Sequence, residues 1–244
     1  KRLQENVRDI VNNIDDRDYD IPELLHSLKT SLINGIDIDD RYIIPSIYLK
    51  TMNDLYNTGR NNDVVQFADK AIQRSSFMDE RIVSEIRYLL CSALAKLRKE
   101  RFKTEVMKID GADHQFLFGF YYRQIGRFDK ALERINNSLK LRENFSKAKR
   151  EKVQIYIGMQ DYESALELAR LNYENYKDNP YHMQAYFTCI IKSDSVKNKK
   201  DILKELIENM EIIGSKLSRE LTLRFKAQYA AFIENDYDEA VGYI

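Results

Sequence analysis

The side chains best suited to chemistry in this chain are three histidines and two cysteines, and they are scattered. His26, His114 and His182 lie far apart, as do Cys91 and Cys189. None has a second ligand at the short spacing that a zinc site uses. The sequence also lacks a glycine-rich phosphate loop, a nucleophile elbow and a His-Glu-x-x-His helix. We therefore expect no metal site, no cofactor and no intrinsic enzymatic activity.

Two acidic stretches near the start of the chain raise the question of a calcium site. They are residues 15–20 (DDRDYD) and residues 35–40 (GIDIDD). Neither has the D-x-D-x-D-G loop with a distal glutamate that an EF-hand uses. We interpret both stretches as turns between short helices.

The composition indicates a helical protein without a membrane span. Only eight glycines and three prolines occur in 244 residues, and no segment approaches the roughly 20 apolar residues of a membrane helix. Thirty-nine basic residues balance 39 acidic ones, whereas a nucleic-acid binder usually has a basic excess. No signal peptide is visible, and both cysteines lie in apolar contexts, which predicts buried free thiols and a cytoplasmic location. The Ile-, Asn- and Lys-rich, Trp-free composition suggests a bacterial source.

Two segments of the chain repeat each other 34 residues apart. Residues 118–132 (FGFYYRQIGRFDKAL) match residues 152–166 (KVQIYIGMQDYESAL). The aligned pairs are Tyr122 with Tyr156, Phe128 with Tyr162, Ala131 with Ala165, and Leu132 with Leu166. A period of 34 is typical of a solenoid built from helix–turn–helix units. We therefore expect an all-α fold of antiparallel helix pairs.

The pattern resembles the tetratricopeptide repeat (TPR) family. Copies in that family carry a large residue, a small residue and a tyrosine on the first helix, then a turn, an aromatic residue and Ala-Leu. The copy at residues 112–145 fills these places with Phe118, Gly119, Tyr122, Gly126, Phe128, Ala131 and Leu132. The copy at residues 146–179 departs from the pattern at Lys152 and Val153. The resemblance implies a right-handed α-α superhelix, a TPR-like solenoid of antiparallel helix pairs.

The repeat pattern extends over residues 41–244 and predicts about five and a half copies. Their ranges are 45–77, 78–111, 112–145, 146–179, 180–220 and an incomplete 221–244. Extra residues in the fifth copy are assigned to residues 193–201, and the turn of the second copy has no glycine. Residues 1–40 are predicted to form an N-terminal helical pair that packs on the solenoid.

Residues at the repeat turns have predicted structural roles. Phe128, Tyr162 and Tyr237 are expected to fill the angle between paired helices. Asp161 and Asp236 are expected to cap second helices, because a carboxylate there accepts free backbone N–H groups. The residue three places after Asp236 is a glutamate, which is the spacing of a capping box.

The TPR resemblance also implies a binding groove lined by the first helix of each copy. The inward positions are Phe116, Phe120 and Arg123 in one copy, Lys147, Arg150 and Gln154 in the next, and Tyr181 and Gln184 in the third. Aromatic residues and arginine often dominate binding energy, and arginine can hold a carboxylate in a fork. This predicts a peptide or helix as the partner. The alternative is that residues 147–152 form only a solvated helix face.

Two functions remain open from the sequence. The first is a non-catalytic scaffold that binds a protein partner in the groove. The second is a ligand-sensing regulatory arm of a larger signalling protein, such as an NTPase or a peptide-sensing regulator, in which binding shifts a two-state equilibrium. The last copy is incomplete, so we also expect an exposed solenoid end whose apolar surface could join two copies.

Overall fold

The computed structural model describes residues 45–73 and 80–243. Within them the chain forms twelve α-helices and one π-helical turn, and no strand. The helical pair predicted at residues 1–40 lies outside the described residues. The chain divides into two units, Lys1–Ile125 and Gly126–Ile244.

The first unit contains five described helices. These are α1 (Pro45–Asn57), α2 (Asn61–Gln73), α3 (Glu80–Lys96), α4 (Phe102–Val106) and α5 (Gly111–Gln124). Helix α3 packs on α1 and on α5, so the alternate helices α1, α3 and α5 contact one another in order. Helix α2 packs on α1 and α3, and the short α4 packs on α3 and α5. This is the packing of helix-pair repeats, in which each repeat touches its neighbours.

The helices of the second unit pack on one another in the same way as those of the first unit. Its helices are α6 (Phe128–Leu141), α7 (Ser146–Gly158), α8 (Tyr162–Asn175), α9 (Pro180–Lys192), α10 (Lys199–Ile213), α11 (Lys216–Tyr229) and α12 (Tyr237–Gly242), with the π-helical turn Ala230–Glu234 between the last two. Helices α7, α9 and α11 contact one another in order. Helix α8 packs on α7 and α9, and α10 on α9 and α11. The predicted all-α, helical-repeat solenoid is therefore confirmed, while membership of a particular repeat family stays a prediction.

Five of the turns that follow the first helix of a pair share one backbone feature, whereas the turn after α9 does not, since Ser193 there is extended. A positive φ occurs at Gly59 (76°), Arg98 (55°), Gly126 (73°), Gln160 (62°) and Asn235 (56°). At three of these turns the following N–H donates to the carbonyl five residues earlier, as from Asp161 to Tyr156 at 3.0 Å. This bond closes a helix end with a left-handed residue. The turn without glycine in the second copy keeps the same geometry, because Arg98 adopts the left-handed conformation.

One predicted repeat boundary needs correction. The division expected between residues 220 and 221 falls inside α11, which begins at Lys216. The helix starts earlier because Ser215 caps it, accepting the N–H of Ser218 at 3.0 Å. The insertion predicted at residues 193–201 is also only partly loop, since α10 begins at Lys199.

The predicted caps are confirmed. Asp161 accepts the N–H of Ser164 at 3.1 Å, and Asp236 accepts the N–H of Glu239 at 2.9 Å. The Glu239 carboxylate accepts from the Tyr243 hydroxyl at 2.8 Å. The spacing therefore identified the Asp236 cap correctly, and the glutamate side chain has a different partner from the one a capping box implies.

The aromatic residues at the start of second helices have different environments. The ring of Phe128 is half-buried and lies across Gly158, so that a Cβ added to this glycine would be only 2.8 Å from its Cζ atom. Thirty-four residues further along, Lys192 takes the place of Gly158, and its Nζ lies 5.6 Å from the Tyr162 ring centroid. The expectation for Tyr237 is wrong: this residue begins α12 and is 67% exposed, so its ring does not fill an angle between helices.

Candidate functional site

The predicted groove residues of the first unit are mostly buried. Phe116 and Phe120 of α5 are only 7% and 8% exposed. Phe116 stacks between Tyr88 of α3 and Phe120, with ring centroids 6.2 Å apart in both pairs. The Arg123 guanidinium lies 5.4 Å from the Phe120 ring centroid. The expectation that both phenylalanines offer their rings to a partner is therefore corrected, because Phe116 packs between Tyr88 and Phe120 and both phenylalanines are buried.

The predicted residues of the second unit include a pair that the fold brings together. Arg150 of α7 and Tyr181 of α9 are 31 positions apart, yet the Arg150 guanidinium lies 4.5 Å from the Tyr181 ring centroid. Tyr181 is 38% exposed and Arg150 is half-buried. A ring against the guanidinium limits its rotation, while its N–H groups remain able to donate in the plane of the fork.

The predicted amides flank this pair. Gln154 follows Arg150 by one helical turn, so the two lie on the same side of α7. Gln184 follows Tyr181 by three residues, so these two lie on the same side of α9. Both glutamines are half-buried, and neither side-chain amide hydrogen-bonds another described residue. Lys147 is exposed on the first turn of α7. The two amides can donate to or accept from a peptide backbone.

Sequence reasoning missed a buried histidine next to this pair. His182 is 1% exposed, and its Nε2 atom lies 2.7 Å from the Ser146 hydroxyl oxygen. Its ring stacks on Tyr176 with centroids 4.9 Å apart, and its buried Nδ1 atom has no hydrogen-bond partner among the described residues. The available signal was positional, since Ser146 and His182 both lie in the first turn of successive first helices.

The serine–histidine contact is poorly suited to catalysis. Burial, together with the positive charges of Arg150 and Lys149, lowers the pKa of His182 to about 4. An efficient general base has a pKa near the working pH. Nothing polar in the described residues orients the second ring nitrogen, as a catalytic triad requires. The contact instead links the start of α7 to the start of α9.

The surface around the pair is positively charged. The Lys149 Nζ lies 5.7 Å from the Tyr176 ring centroid, and the charges of both Lys149 and Arg150 act on His182. Among the described residues no carboxylate lies within ion-pairing distance of Lys149 or Arg150. Glu151, on the same helix, is buried. The exposed end of α7 and α9 therefore presents a guanidinium, an ammonium and a tyrosine ring to an incoming group.

Other chemistry is not assembled in the part of the chain that the structure describes. No group of three His, Cys, Asp or Glu side chains converges there to hold a metal ion. Cys91 and Cys189 are buried and free, as predicted, and burial raises the pKa of each thiol to about 12, which makes them unreactive. None of the helices in residues 45–73 and 80–243 has the length and apolar character needed to span a bilayer.

Comparisons with known proteins give no assignment. No protein-family model matches the sequence, and no curated protein matches it. The geometry of the Arg150–Tyr181 pair and its surroundings is therefore the basis for assigning a function.

Proposed function

We propose that this protein is a non-catalytic interaction module that binds an extended peptide segment carrying a carboxylate, using the exposed faces of α7 and α9. The observation that supports this is the Arg150–Tyr181 contact. It holds a guanidinium 4.5 Å from the centroid of a partly exposed ring, with no carboxylate of the described residues in reach. The protein's two unreactive thiols fit a reducing compartment such as the cytoplasm.

The physical argument begins with the arginine. A guanidinium recognises a carboxylate through two parallel hydrogen bonds, and charge-assisted bonds of this kind are about twice as strong as neutral ones. Stacking on Tyr181 restricts the side chain before binding, which reduces the entropy lost on association. Lys149 adds positive potential without competing for the same geometry.

The spacing of the helices suits an extended peptide. Packed helices lie about 8–10 Å apart, and an extended chain advances about 3.3 Å per residue. A peptide crossing from α7 to α9 would therefore present about three residues between equivalent positions. One peptide residue would place its carboxylate at Arg150, and another could pack on the Tyr181 ring. Gln154 and Gln184 would then pair with the peptide backbone.

The resemblance of the sequence to TPR proteins supports the same proposal. In that family the first helices of successive copies line the ligand groove, and α7, α9 and α11 are the helices that contact one another in order. Phe116 and Phe120 are not part of this proposal, because their rings are buried. The binding surface that we propose consists of Lys149, Arg150, Gln154, Tyr181 and Gln184.

A random-peptide display selection on the purified chain tests the proposal. We expect enriched peptides to share an aspartate or glutamate, and synthetic versions to bind measurably by calorimetry. Arg150→Ala should weaken binding by about 10- to 100-fold, because a hydrogen bond to a charged group contributes about 1.5–3 kcal/mol. Replacing the shared acidic residue of the peptide with its amide should cause a similar loss in the wild type and almost none in Arg150→Ala.

Two variants control for general effects of the substitutions. Arg219→Ala and Tyr237→Ala remove an exposed arginine and an exposed tyrosine elsewhere in the unit, and both should bind like the wild type. Enriched peptides that lack an acidic residue, or that bind Arg150→Ala as tightly as the wild type, would rule out the proposed site. A selection that enriches no peptide would rule out the function.

A further inference from the structure

An apolar hollow lies beside the last helices of the second unit. A cavity of about 530 Å³ opens between α11, the π-helical turn and α12. Its apolar lining comes from Leu223, Ala227, Ala231, Phe232 and Ala240. Leu223 is 50% exposed and Phe232 is 65% exposed. Large apolar side chains grouped in this way on a surface usually mark a contact site.

The backbone explains why the hollow is open. The π-helical turn Ala230–Glu234 interrupts the helical repeat at the end of α11, and such turns are frequent at functional sites. It leaves the Phe232 ring in solvent. Ala227 and Ala231, whose side chains are small, line the bottom of the hollow. The result is a hollow next to a projecting ring.

Two opposite charges line the same hollow. Glu220 and Arg224 are one turn apart on α11 and both are exposed. A glutamate four residues before an arginine is well placed for an ion pair on the helix surface. Nevertheless, Glu220 and Arg224 form no ion pair with each other, nor with any other described residue. Both charges are therefore available to a partner.

We propose that the hollow is the contact surface for a second copy of this chain, which docks with its α11 antiparallel to the first. A two-fold axis that meets the exposed face of α11 midway between Glu220 and Arg224 then places Glu220 opposite Arg224 of the second copy, and Arg224 opposite the second Glu220. A two-fold interface requires a surface that is complementary to itself. An acid and a base at equal distances on either side of an apolar centre meet that requirement.

The same axis accounts for the apolar residues. Leu223 lies close to the axis and packs against its counterpart in the second copy. The Phe232 rings lie further out, where each can cover apolar surface of the other copy. A partner of unrelated sequence would need its own acid and base in the reverse order, whereas a second copy supplies them by symmetry.

Charge reversal tests the orientation as well as the association. In a dimer of Glu220→Arg, the new arginine of each copy faces Arg224 of the other copy. In a dimer of Arg224→Glu, the new glutamate of each copy faces Glu220 of the other copy. Each variant alone should dimerise at least about 100-fold more weakly than the wild type, because facing like charges cost several kcal/mol in an interface. An equimolar mixture of the two variants should dimerise again, since every facing pair is then of opposite charge.

Sedimentation velocity over a wide dilution series provides the measurement. Arg219→Glu, which reverses an exposed charge of α11 outside the hollow, serves as the matched control and should dimerise like the wild type. Thermal melts at low concentration should show all variants folded, since these side chains are exposed. A wild type that stays monomeric at every concentration overturns the proposal. So does a dimer that tolerates both single reversals, or a variant mixture that stays monomeric.

Discussion

Replacing Phe120 with alanine separates a core role from a ligand-binding role for this residue. The sequence pattern places Phe120 on the groove face of its helix, where removing the ring would leave the stability of the free protein almost unchanged. The structure places the ring against Phe116, with centroids 6.2 Å apart and planes 11° apart, and leaves the residue 8% exposed. The free energy of unfolding of Phe120→Ala therefore distinguishes the two roles.

The expected loss follows from the buried area. A phenylalanine buries about 150 Å² or more, which at about 25 cal/mol per Å² gives about 4 kcal/mol. Residual compactness of the unfolded chain lowers this figure to about 3 kcal/mol. The cavity left beside Phe116 adds to the loss, so we expect a decrease of about 3–5 kcal/mol in the free energy of unfolding.

Urea denaturation followed by circular dichroism measures this loss. The m-values of the wild type and the variant should agree, so that the midpoints report stability alone. Phe232→Ala is the matched control, since the same change removes a ring that is 65% exposed. By the same arithmetic it should cost about 1 kcal/mol, when measured at a concentration too low for self-association.

A loss below about 1 kcal/mol for Phe120→Ala would refute this reasoning. It would mean that the ring is in contact with solvent in the free protein, and Phe120 would return to the set of candidate ligand contacts. A large loss together with unchanged peptide binding would agree with the burial and with the exclusion of Phe120 from the proposed binding surface.

Three further substitutions or conditions have defined outcomes. Alanine favours a helix over glycine by about 1 kcal/mol, yet Gly158→Ala should lower stability or leave it unchanged, because its Cβ meets the Phe128 ring. In a Phe128→Ala background the same change should raise stability. A double-mutant cycle measured by urea denaturation would show this difference. Gln160→Gly should raise the thermal midpoint by an amount equivalent to about 1 kcal/mol, because glycine relieves the cost of a φ of 62°. Stability should fall by about 2 kcal/mol between about pH 7 and pH 5, because unfolded His182 binds a proton at its ordinary pKa of 6.5 whereas the folded residue has a pKa of about 4; this is measurable by urea denaturation at each pH.

Each of these outcomes has a comparison that could contradict it. An equal effect of Gly158→Ala in both backgrounds would show that the Phe128 ring imposes no constraint. Gly126→Gln is the reverse of Gln160→Gly at the equivalent turn, and it should destabilise by a similar amount. The loss of stability between pH 7 and pH 5 should be smaller in His182→Gln than in the wild type. An equal loss in the two proteins would show that His182 is not its source.

The site shows where reasoning from the sequence stops. The repeat pattern correctly selected Arg150 and Tyr181 as residues of neighbouring first helices, but it could not indicate that the guanidinium and the ring are in contact. It gave Phe116 and Phe120 the same direction on their helix, although Phe116 stacks on Tyr88 and Phe120 stacks on Phe116, and both residues are buried. It placed Ser146 and His182 in the first turn of successive first helices, but it could not indicate that their side chains are in contact, because the contact depends on how α7 and α9 are positioned relative to each other.

Features set by interactions within a turn or within one helix pair could be predicted from the amino-acid sequence. The 34-residue period, the Asp161 and Asp236 caps and the small residues Ala131 and Ala165 are of this kind, since each depends on neighbours only a few residues away or on a contact that every repeat makes. Which side chains are covered and which are exposed became known only from the packing of the helices. The burial of Phe120, the exposure of Tyr237 and the low pKa of His182 all depend on the identity of atoms from other helices, and a periodic pattern specifies the direction of a side chain without specifying what lies opposite it.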